Sequence, residues 1–389
     1  MNNTYIFHLG RERELSIAEL QAVFKNAEVL ITKGSLTLIQ PKEDFESPQQ
    51  TLNNLGGTIQ ISKITQELSL DSTTWAKPIA DLLNTLKPEG KLSFGINYYG
   101  KKKVRLMPIL KAIKNELKTH GRNSRFPNSE GNLTSATLRK GGLMKHKTHL
   151  NLIEWGDQIL LSQTVATQNF EAYSLRDYDK PARLAKSGML PPKLAQTMIN
   201  LANLVPGYTQ ETNQWLYDPF CGSGTVLGEA MLKGLNVMGS DLAKQAVDAA
   251  EINLNWLANQ EICRRKTEHV IFEHDAETLT EIPQNPDLVV SETYLGPPRA
   301  HLLNPDQVTA IHTTLMKLYR NFLESIHPLL NVGTPIVIGF PLHHTKKGPV
   351  PLPKLDKLLE KTGYKLHDRL TYRRENQVVG RDILIFERI

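Results

Sequence analysis

The segment WLYDPFCGSGTVLGEA (215–230) constrains this chain more than any other. Apolar residues ending in an acid, a glycine-rich turn and an apolar run at helical spacing read as strand, tight turn and helix. In a doubly wound α/β sheet, ligands sit at this place, outside the carboxyl end of a strand and against the start of the next helix. Gly222 and Gly224 let backbone approach a ligand closely. Gly228 comes one residue too late for G-x-G-x-x-G, and the G-x-x-x-x-G-K-[ST] phosphate loop is absent. The spacing therefore argues against a standard dinucleotide site.

The surrounding rhythm agrees. PPKLAQTMINLANLV (191–205) opens with prolines suited to a first helical turn and places Leu194, Met198, Ile199 and Ala202 on one face. Short apolar strands follow at WLYD (215–218), NVMGSD (236–241), HVIFEHD (269–275), DLVVSE (287–292) and PIVIGF (335–340). Helices are expected between them, to Lys233, at 243–258 and near 305–330. Such alternation implies a parallel sheet covered on both faces. YKLHDRLTY (364–372) and DILIFER (382–388) alternate like a hairpin and predict an antiparallel edge. The fold class is α/β, with residues 191–389 as its Rossmann-like part.

Upstream the pattern is α+β. In residues 1–60, YIFHL, VLIT and LTLI read as strands, and Ser16 with Glu19 forms an S-x-x-E capping box before Ile17, Leu20, Ala22 and Phe24. Residues 41–50 read as a loop. In residues 61–170, Trp75–Leu86 and Met107–Thr119 have helical periodicity, LSFGINYY (92–99) reads as a strand, and 149–165 as a hairpin turning at Gly156-Asp157. Residues 171–190 are polar and mixed in charge and are taken as a linker.

Charge separates these parts. The 389 residues carry 46 Lys+Arg against 40 Asp+Glu, a net of +6. Between Lys91 and Lys147 stand 14 Lys+Arg against Glu116 and Glu130, a local net of +12 that leaves −6 for the rest. Clustered cations are rewarded by counterion release from phosphates, so the block suggests a polyanion-binding region; a solvated surface is the plain alternative. A composition of 40% hydrophobic and 22% charged residues excludes a long disordered chain. No apolar run approaches the roughly 20 residues needed to cross a bilayer. The acid-containing N-terminus does not read as a secretory signal, and two cysteines, Cys221 and Cys263, build neither a disulfide framework nor a zinc site. A soluble, cytoplasmic protein without a metal site is expected.

Acids end the strands after the glycine turn. Asp241 stands 23 residues after Asp218, where a carboxylate accepts hydrogen bonds from both ribose hydroxyls of an adenosine cofactor. Asp275 ends the third strand, where its carboxylate or the backbone of Ala276 reads the adenine amino group. Asp218, at the end of the first strand, suits a methionine ammonium. With Phe220, Gly222 and Gly224, this set fits S-adenosylmethionine.

DPFCGSGTVLGEA resembles motif I of the N2-guanine and N6-adenine methyltransferases. GMLPPKLAQTMINLA (188–202), YIFHLGRERELSIAELQAVF (5–24) and VVGRDILIFER (378–388) resemble segments of the tRNA guanine-10 N2-methyltransferase family. The resemblance implies an N-terminal ferredoxin-like domain (1–60), a THUMP-like RNA-binding domain (61–170) and a class I methyltransferase domain (191–389). RNA contacts would come from Lys101, Lys102, Lys103, Arg105, Arg122, Arg125, Arg139 and Lys140. Because D-P-F precedes the fourth strand here, the order found in the common DNA methyltransferases is not followed, and no DNA partner is expected.

One departure lies at the catalytic place. The family's D-P-P-Y is replaced by VVSETYLGPP (289–298), with Glu292 in the acidic position, Thr293 in place of a proline and Tyr294 one residue early. In the tetrad the acid and backbone hold the exocyclic amine and the aromatic stacks on the flipped base. Glu292, Thr293 and Tyr294 are the expected catalytic residues. Cys221 is not expected to act as a nucleophile, Trp155 and Trp256 read as core, and Arg299 is a candidate phosphate contact. His343-His344 and Lys346-Lys347 read as a solvated loop. The implied activity is transfer of the sulfonium methyl to a guanine N2 of tRNA. Alternatives are an RNA-binding protein that has lost turnover, or a methyltransferase of another RNA or of adenine N6; a need for a protein activator stays open.

Overall fold

The computed structural model describes residues 3–101, 104–128, 131–183, 189–298, 301–374 and 377–389, by backbone alone at 28–32. Lys102, Lys103 and Arg299 lie outside the described residues. The chain divides into two compact units: residues 1–11, 26–53 and 58–170 form the first, and 12–25, 54–57 and 171–389 the second.

The first unit is built on one sheet. Strands β1 (Tyr5–Leu9), β2 (Glu28–Lys33), β3 (Leu36–Gln40), β4 (Thr58–Leu68), β6 (Gly95–Tyr99), β8 (His149–Trp155) and β9 (Gln158–Thr167) run in the order β2-β3-β1-β4-β9-β8-β6. β4 lies between β1 and β9, antiparallel to both, so strands from 1–60 and from 61–170 share this sheet. β5 (Leu92–Ser93) and β7 (Ser124–Arg125) form a separate parallel pair. The segment read as one strand, 92–99, is therefore split, and its second half pairs with β8 in parallel. Gly95 sits at that break, where a Cβ would stand 2.5 Å from Leu133 Cδ1. Helices α2 (Pro48–Asn53), α3 (Ala76–Leu86), α4 (Leu106–Thr119) and α5 (Ser135–Lys140) complete this unit, and α2 begins inside the stretch expected to be loop. α3 and α4 bury Ile79, Leu83, Ile109, Ile113 and Leu117 in a core shared with Leu150, Leu152 and Leu161.

The second unit has an early contributor, α1 (Arg13–Val23). The capping box expected there is not formed. Ser16 lies inside the helix, its hydroxyl donating to the carbonyls of Glu12 and Gly57. Glu19 is fully buried and accepts from the N–H groups of Gly56 and Gly57 and from Asn200 Nδ2. Lys233 Nζ closes the cluster by donating to Asn200 Oδ1 and the Asn54 carbonyl. A local S-x-x-E pattern was outcompeted by partners distant in sequence. The expected linker 171–190 likewise holds a helix, α6 (Phe170–Tyr178), whose Arg176 donates to the buried Glu229 at 2.6 Å.

The remaining elements are α7 (Pro192–Leu201), β10 (Trp215–Asp218), α8 (Thr225–Leu232), β11 (Asn236–Asp241), α9 (Lys244–Ala258), β12 (His269–Glu273), β13 (Leu288–Glu292), α10 (Pro305–Ile326), β14 (Pro335–Thr345), β15 (Gly348–Val350), α11 (Leu355–Lys361), β16 (Tyr364–Tyr372) and β17 (Val379–Arg388). The sheet order is β12-β11-β10-β13-β14-β17-β16, with β15 paired to β14. The first five strands are parallel, while β17 runs antiparallel between β14 and β16. Alternation along the strands fills both faces. Leu216, Val237, Val290, Val337 and Ile383 pack with α7 and α8, while Tyr217, Met238, Val289, Ile338 and Leu384 pack with α10 and α11. This is why the strands read as continuous apolar runs.

β14 is longer than its apolar core suggested. His343–Thr345 pair with β15, and β14 pairs with β17 as far as His343. His343 and His344 are buried, not in a solvated loop, and His312 Nε2 stands 3.1 Å from His343 Nδ1. Lys346 and Lys347 occupy the exposed turn beyond.

Candidate active site

The order in which strands are added reverses between β10 and β13, and in open α/β sheets ligands bind outside the carboxyl ends of the strands at such a point. Asp218 ends β10 and is buried. Its Oδ1 accepts from Ser291 Oγ at 2.5 Å and from the Phe220 N–H at 3.1 Å. Burial pushes this carboxyl up to about 7, Ser291 and Phe220 oppose the rise, and nearby Asp241 and Glu292 add to it.

The glycine turn is folded onto the next strand. The Cys221 N–H donates to the Ser240 carbonyl and the Gly222 N–H to Asp241 Oδ2, while Asp241 Oδ1 accepts from the Ala243 N–H. Gly222 has φ +51°, and a Cβ there would meet nothing within 4 Å. That open cradle beside a strand-end carboxylate fits a bound adenosine cofactor. Gly224, at φ +80°, caps α8, and a Cβ there would stand 3.3 Å from Ala250 Cβ. Phe220 packs edge-on against Phe322. Asp275 caps a single 3-10 turn, Ala276–Thr278, through the Glu277 N–H, and the His274 N–H beside it donates to the Asp241 carbonyl. Ala276 is buried, and its carbonyl accepts from Ser325. The residues expected to hold the cofactor thus stand at the ends of β10, β11 and β12. Cys221 is buried, and its surroundings push the thiol well above its ordinary range, which suits packing rather than nucleophilic use.

The altered tetrad ends the neighbouring strand. Both Glu292 oxygens accept from Arg381, Oε1 from Nε at 2.7 Å and Oε2 from Nη2 at 3.2 Å. Burial raises the Glu292 carboxyl and Arg381 opposes that rise. The Thr293 N–H and its hydroxyl both donate to the Gly339 carbonyl, at 3.1 and 3.2 Å. A proline at 293 would lack that N–H. Tyr294 is 49% exposed, while its carbonyl accepts from Tyr319 Oη at 2.7 Å. One backbone turn is pinned on both sides and carries a half-exposed tyrosine.

Sequence reasoning missed Ser291, Arg381 and Lys180. Lys180 Nζ donates to Ser223 Oγ and Thr225 Oγ1 and so braces the glycine turn. A signal for Arg381 did exist: Arg381-Asp382 interrupts an otherwise apolar strand, and both side chains are buried, Asp382 against Arg369. Among the described residues, no group of three or more His, Cys, Asp or Glu could hold a metal ion, and no helix is long and apolar enough to cross a membrane.

The described members of the expected RNA contacts, Lys101, Arg105, Arg122, Arg125, Arg139 and Lys140, lie in the first unit. Lys101, Arg105, Arg125 and Lys140 are exposed. Arg122 instead donates to the Lys87 carbonyl, and Arg139 to the Thr167 carbonyl and Asn169. Exposed Lys111, Lys114 and Lys118 line one outer stripe of α4, opposite buried Ile109, Ile113 and Leu117.

Residues 180–292 match the family model UPF0020, described as RMKL-like, methyltransferase domain. A tRNA (guanine(10)-N2)-dimethyltransferase of Methanothermobacter thermautotrophicus is 26% identical over 225 residues, 54% of this chain and 60% of that protein. A protein of the same name from Pyrococcus abyssi is 43% identical over 67 residues, 17% of this chain and 18% of that one. The chain thus spans less than two thirds of the length of either relative. Among solved structures, TrmN from Thermus thermophilus aligns over 99% of this chain and 100% of its own, with a TM-score of 0.53 at 16% identity. A protein described as a possible methylase, from Clostridium difficile, aligns over 100% and 99%, with a TM-score of 0.52 at 14% identity. The stretch from 180 to 292 is thus similar in sequence to an RMKL-like methyltransferase domain, and the chain shares its fold with these solved structures.

Proposed function

We propose that this chain transfers the methyl group of S-adenosylmethionine to the exocyclic N2 amine of a guanine in tRNA. The observation that carries the reading is the meeting of two strand ends. The glycine turn with Asp218 and Asp241 stands beside a pinned Glu292–Thr293–Tyr294 turn, joined through the Asp218–Ser291 hydrogen bond. The tRNA (guanine(10)-N2)-dimethyltransferase names of the relatives support the choice of base and RNA.

When bound, S-adenosylmethionine supplies a methyl group on a sulfonium, activated toward a nitrogen nucleophile. Asp218 would hold the methionine ammonium, Asp241 the ribose hydroxyls, and the segment Asp275–Ala276 the adenine edge. Glu292 would accept a hydrogen bond from the guanine amine and aim its lone pair at the methyl carbon. The half-exposed Tyr294 would stack on the extruded base. Methyl transfer leaves the nitrogen with one proton too many, and Glu292 is the acceptor for it. In-line placement contributes most of the rate enhancement. In the first unit, the basic residues of the 61–170 stretch would hold the tRNA backbone as a THUMP-like module.

The deciding experiment is methyl transfer from labelled S-adenosylmethionine to unmodified tRNA, followed by mass spectrometry of the nucleosides. N2-methylguanosine is the expected product. N6-methyladenosine would reassign the base, and no transfer to any RNA would leave a binding protein.

A further inference from the structure

The geometry points to Arg381 as the positioning residue of this active site: it fixes the orientation of Glu292 and preserves its charge, doing in this chain what a shorter acid on a proline-stiffened turn does elsewhere. This inference rests on Glu292 being the amine acceptor proposed above.

The pairing is built into the sheet. Glu292 on β13 lies opposite Gly339 on β14, and Gly339 lies opposite Ile383 on β17, two residues from Arg381. By strand alternation, Val290 and Glu292, Val337 and Gly339, and Ile383 and Arg381 share one face. The first member of each pair belongs to the same apolar core. At its carboxyl end that apolar row gives way to a carboxylate, a glycine and a guanidinium. Strands two places apart are separated by roughly 10 Å, so Arg381 must cross β14 to reach its partner. It does so over Gly339, where a Cβ would already stand 3.7 Å from Arg381 Cγ and 3.6 Å from Met198 Cε. Any longer side chain at 339 would occupy the path.

A glutamate has one more rotatable bond than an aspartate and so has more orientations to lose. The planar fork of arginine removes that freedom by binding both oxygens at once. Each Glu292 oxygen keeps a second lone pair for a substrate N–H. Buried ion pairs are weak stabilisers, because desolvation offsets much of their attraction. Arg381 is buried and turns both Nε and Nη2 onto the expected catalytic acid, with Nη1 on the Val379 carbonyl of its own strand, an arrangement better explained by that acid's orientation and charge. Among the described residues, the charged group that acts on Glu292 is the cation Arg381 from β17, while Glu292 in turn raises Asp218 on β10 and Tyr319 on α10.

The test compares wild type, Arg381→Met and Arg381→Lys in methyl transfer to unmodified tRNA from pH 5.5 to 9.5. Saturating S-adenosylmethionine keeps the titration of Asp218 out of kcat. Calorimetric affinity for S-adenosylmethionine reports an intact fold. In Arg381→Met, kcat should fall about 100-fold, with KM for tRNA and cofactor affinity within threefold of wild type, and the acid limb of kcat should move up by at least one pH unit. Arg381→Lys restores the charge without the fork and should recover about tenfold in kcat. Unchanged kcat, an unmoved acid limb, or loss only in proportion to cofactor binding would overturn the inference. If Arg381→Met does not fold, an unchanged kcat in Arg381→Lys overturns it alone. An inactive wild type overturns the proposed function and this inference with it; an active wild type with full activity in Arg381→Met overturns the inference only.

Discussion

Ser291 Oγ donates a 2.5 Å hydrogen bond to Asp218 Oδ1, so the strand that ends in the proposed amine acceptor also steadies the acid proposed to hold the cofactor. Ser291 opposes the rise that burial imposes on this carboxyl, which lies at about 7. A hydrogen bond to a charged group contributes about 1.5–3 kcal/mol, and about 1.4 kcal/mol corresponds to one pH unit. In Ser291→Ala, the pH at which S-adenosylmethionine affinity is half lost on acidification should therefore rise by about one unit. Calorimetry across pH 5.5–8.5 reads it.

The same acid has a cost in the unliganded protein. Its folded value, about 7, exceeds the ordinary 3.8, so the folded state takes up the proton more readily than the unfolded one. Stability from this group is greatest below 3.8 and is lost as pH rises through about 7. Asp218→Asn keeps an acceptor for Ser291 and Phe220, both of which bind Oδ1, and removes the buried charge. We expect it to stabilise the apo protein by on the order of 3 kcal/mol at pH 8, with little change at pH 4. Cofactor binding should be lost. Denaturant unfolding at both pH values checks the stability arm.

Restoring a proline at 293 should harm this chain. Thr293→Pro deletes the N–H and the hydroxyl that both meet the Gly339 carbonyl. The expected loss is about 1–3 kcal/mol of stability together with a lower kcat. Thr293→Ser, which keeps both donors, should stay close to wild type in unfolding and in methyl transfer.

In the first unit, charge reversal separates binding cations from structural ones. Changing exposed Lys101, Arg105, Lys111 and Lys114 to Glu should weaken tRNA binding and flatten its dependence on log salt by about 3. Arg122→Ala and Arg139→Ala remove ties to the Lys87 and Thr167 carbonyls. They should cost about 1 kcal/mol of stability each and leave the salt slope nearly unchanged. Filter binding at several salt concentrations distinguishes the two groups.

Much of the second unit was legible because its signals are local. NVMGSD was read with the limits that β11 has, since a strand buried on both faces is an apolar run ended by a turn. The glycine turn, Asp218 and Asp241 could be found for the same reason. What escaped depends on pairing across the fold. Arg381 meets Glu292 only because β17 enters the sheet beside β14, and no window of sequence contains both. Ser16 and Glu19 matched a capping pattern, yet their partners are Gly56, Gly57 and Asn200. The 171–190 stretch looked polar because Arg176, its main tie, is satisfied by a carboxylate on another helix.

The buried Glu19 cluster also sets a timetable. Glu12–Lys25 and Asn54–Gly57 belong to the same compact unit as residues 171–389. At roughly 5–20 residues per second, α1 would leave the ribosome on the order of 20–70 s before the last strand is made. For roughly 10–40 s of that interval its acid has neither Asn200 nor Lys233 to bury against, because these follow it by 181 and 214 residues. The second unit therefore closes late, and a fragment cut at residue 191 would begin with an unfilled socket where Glu19 belongs.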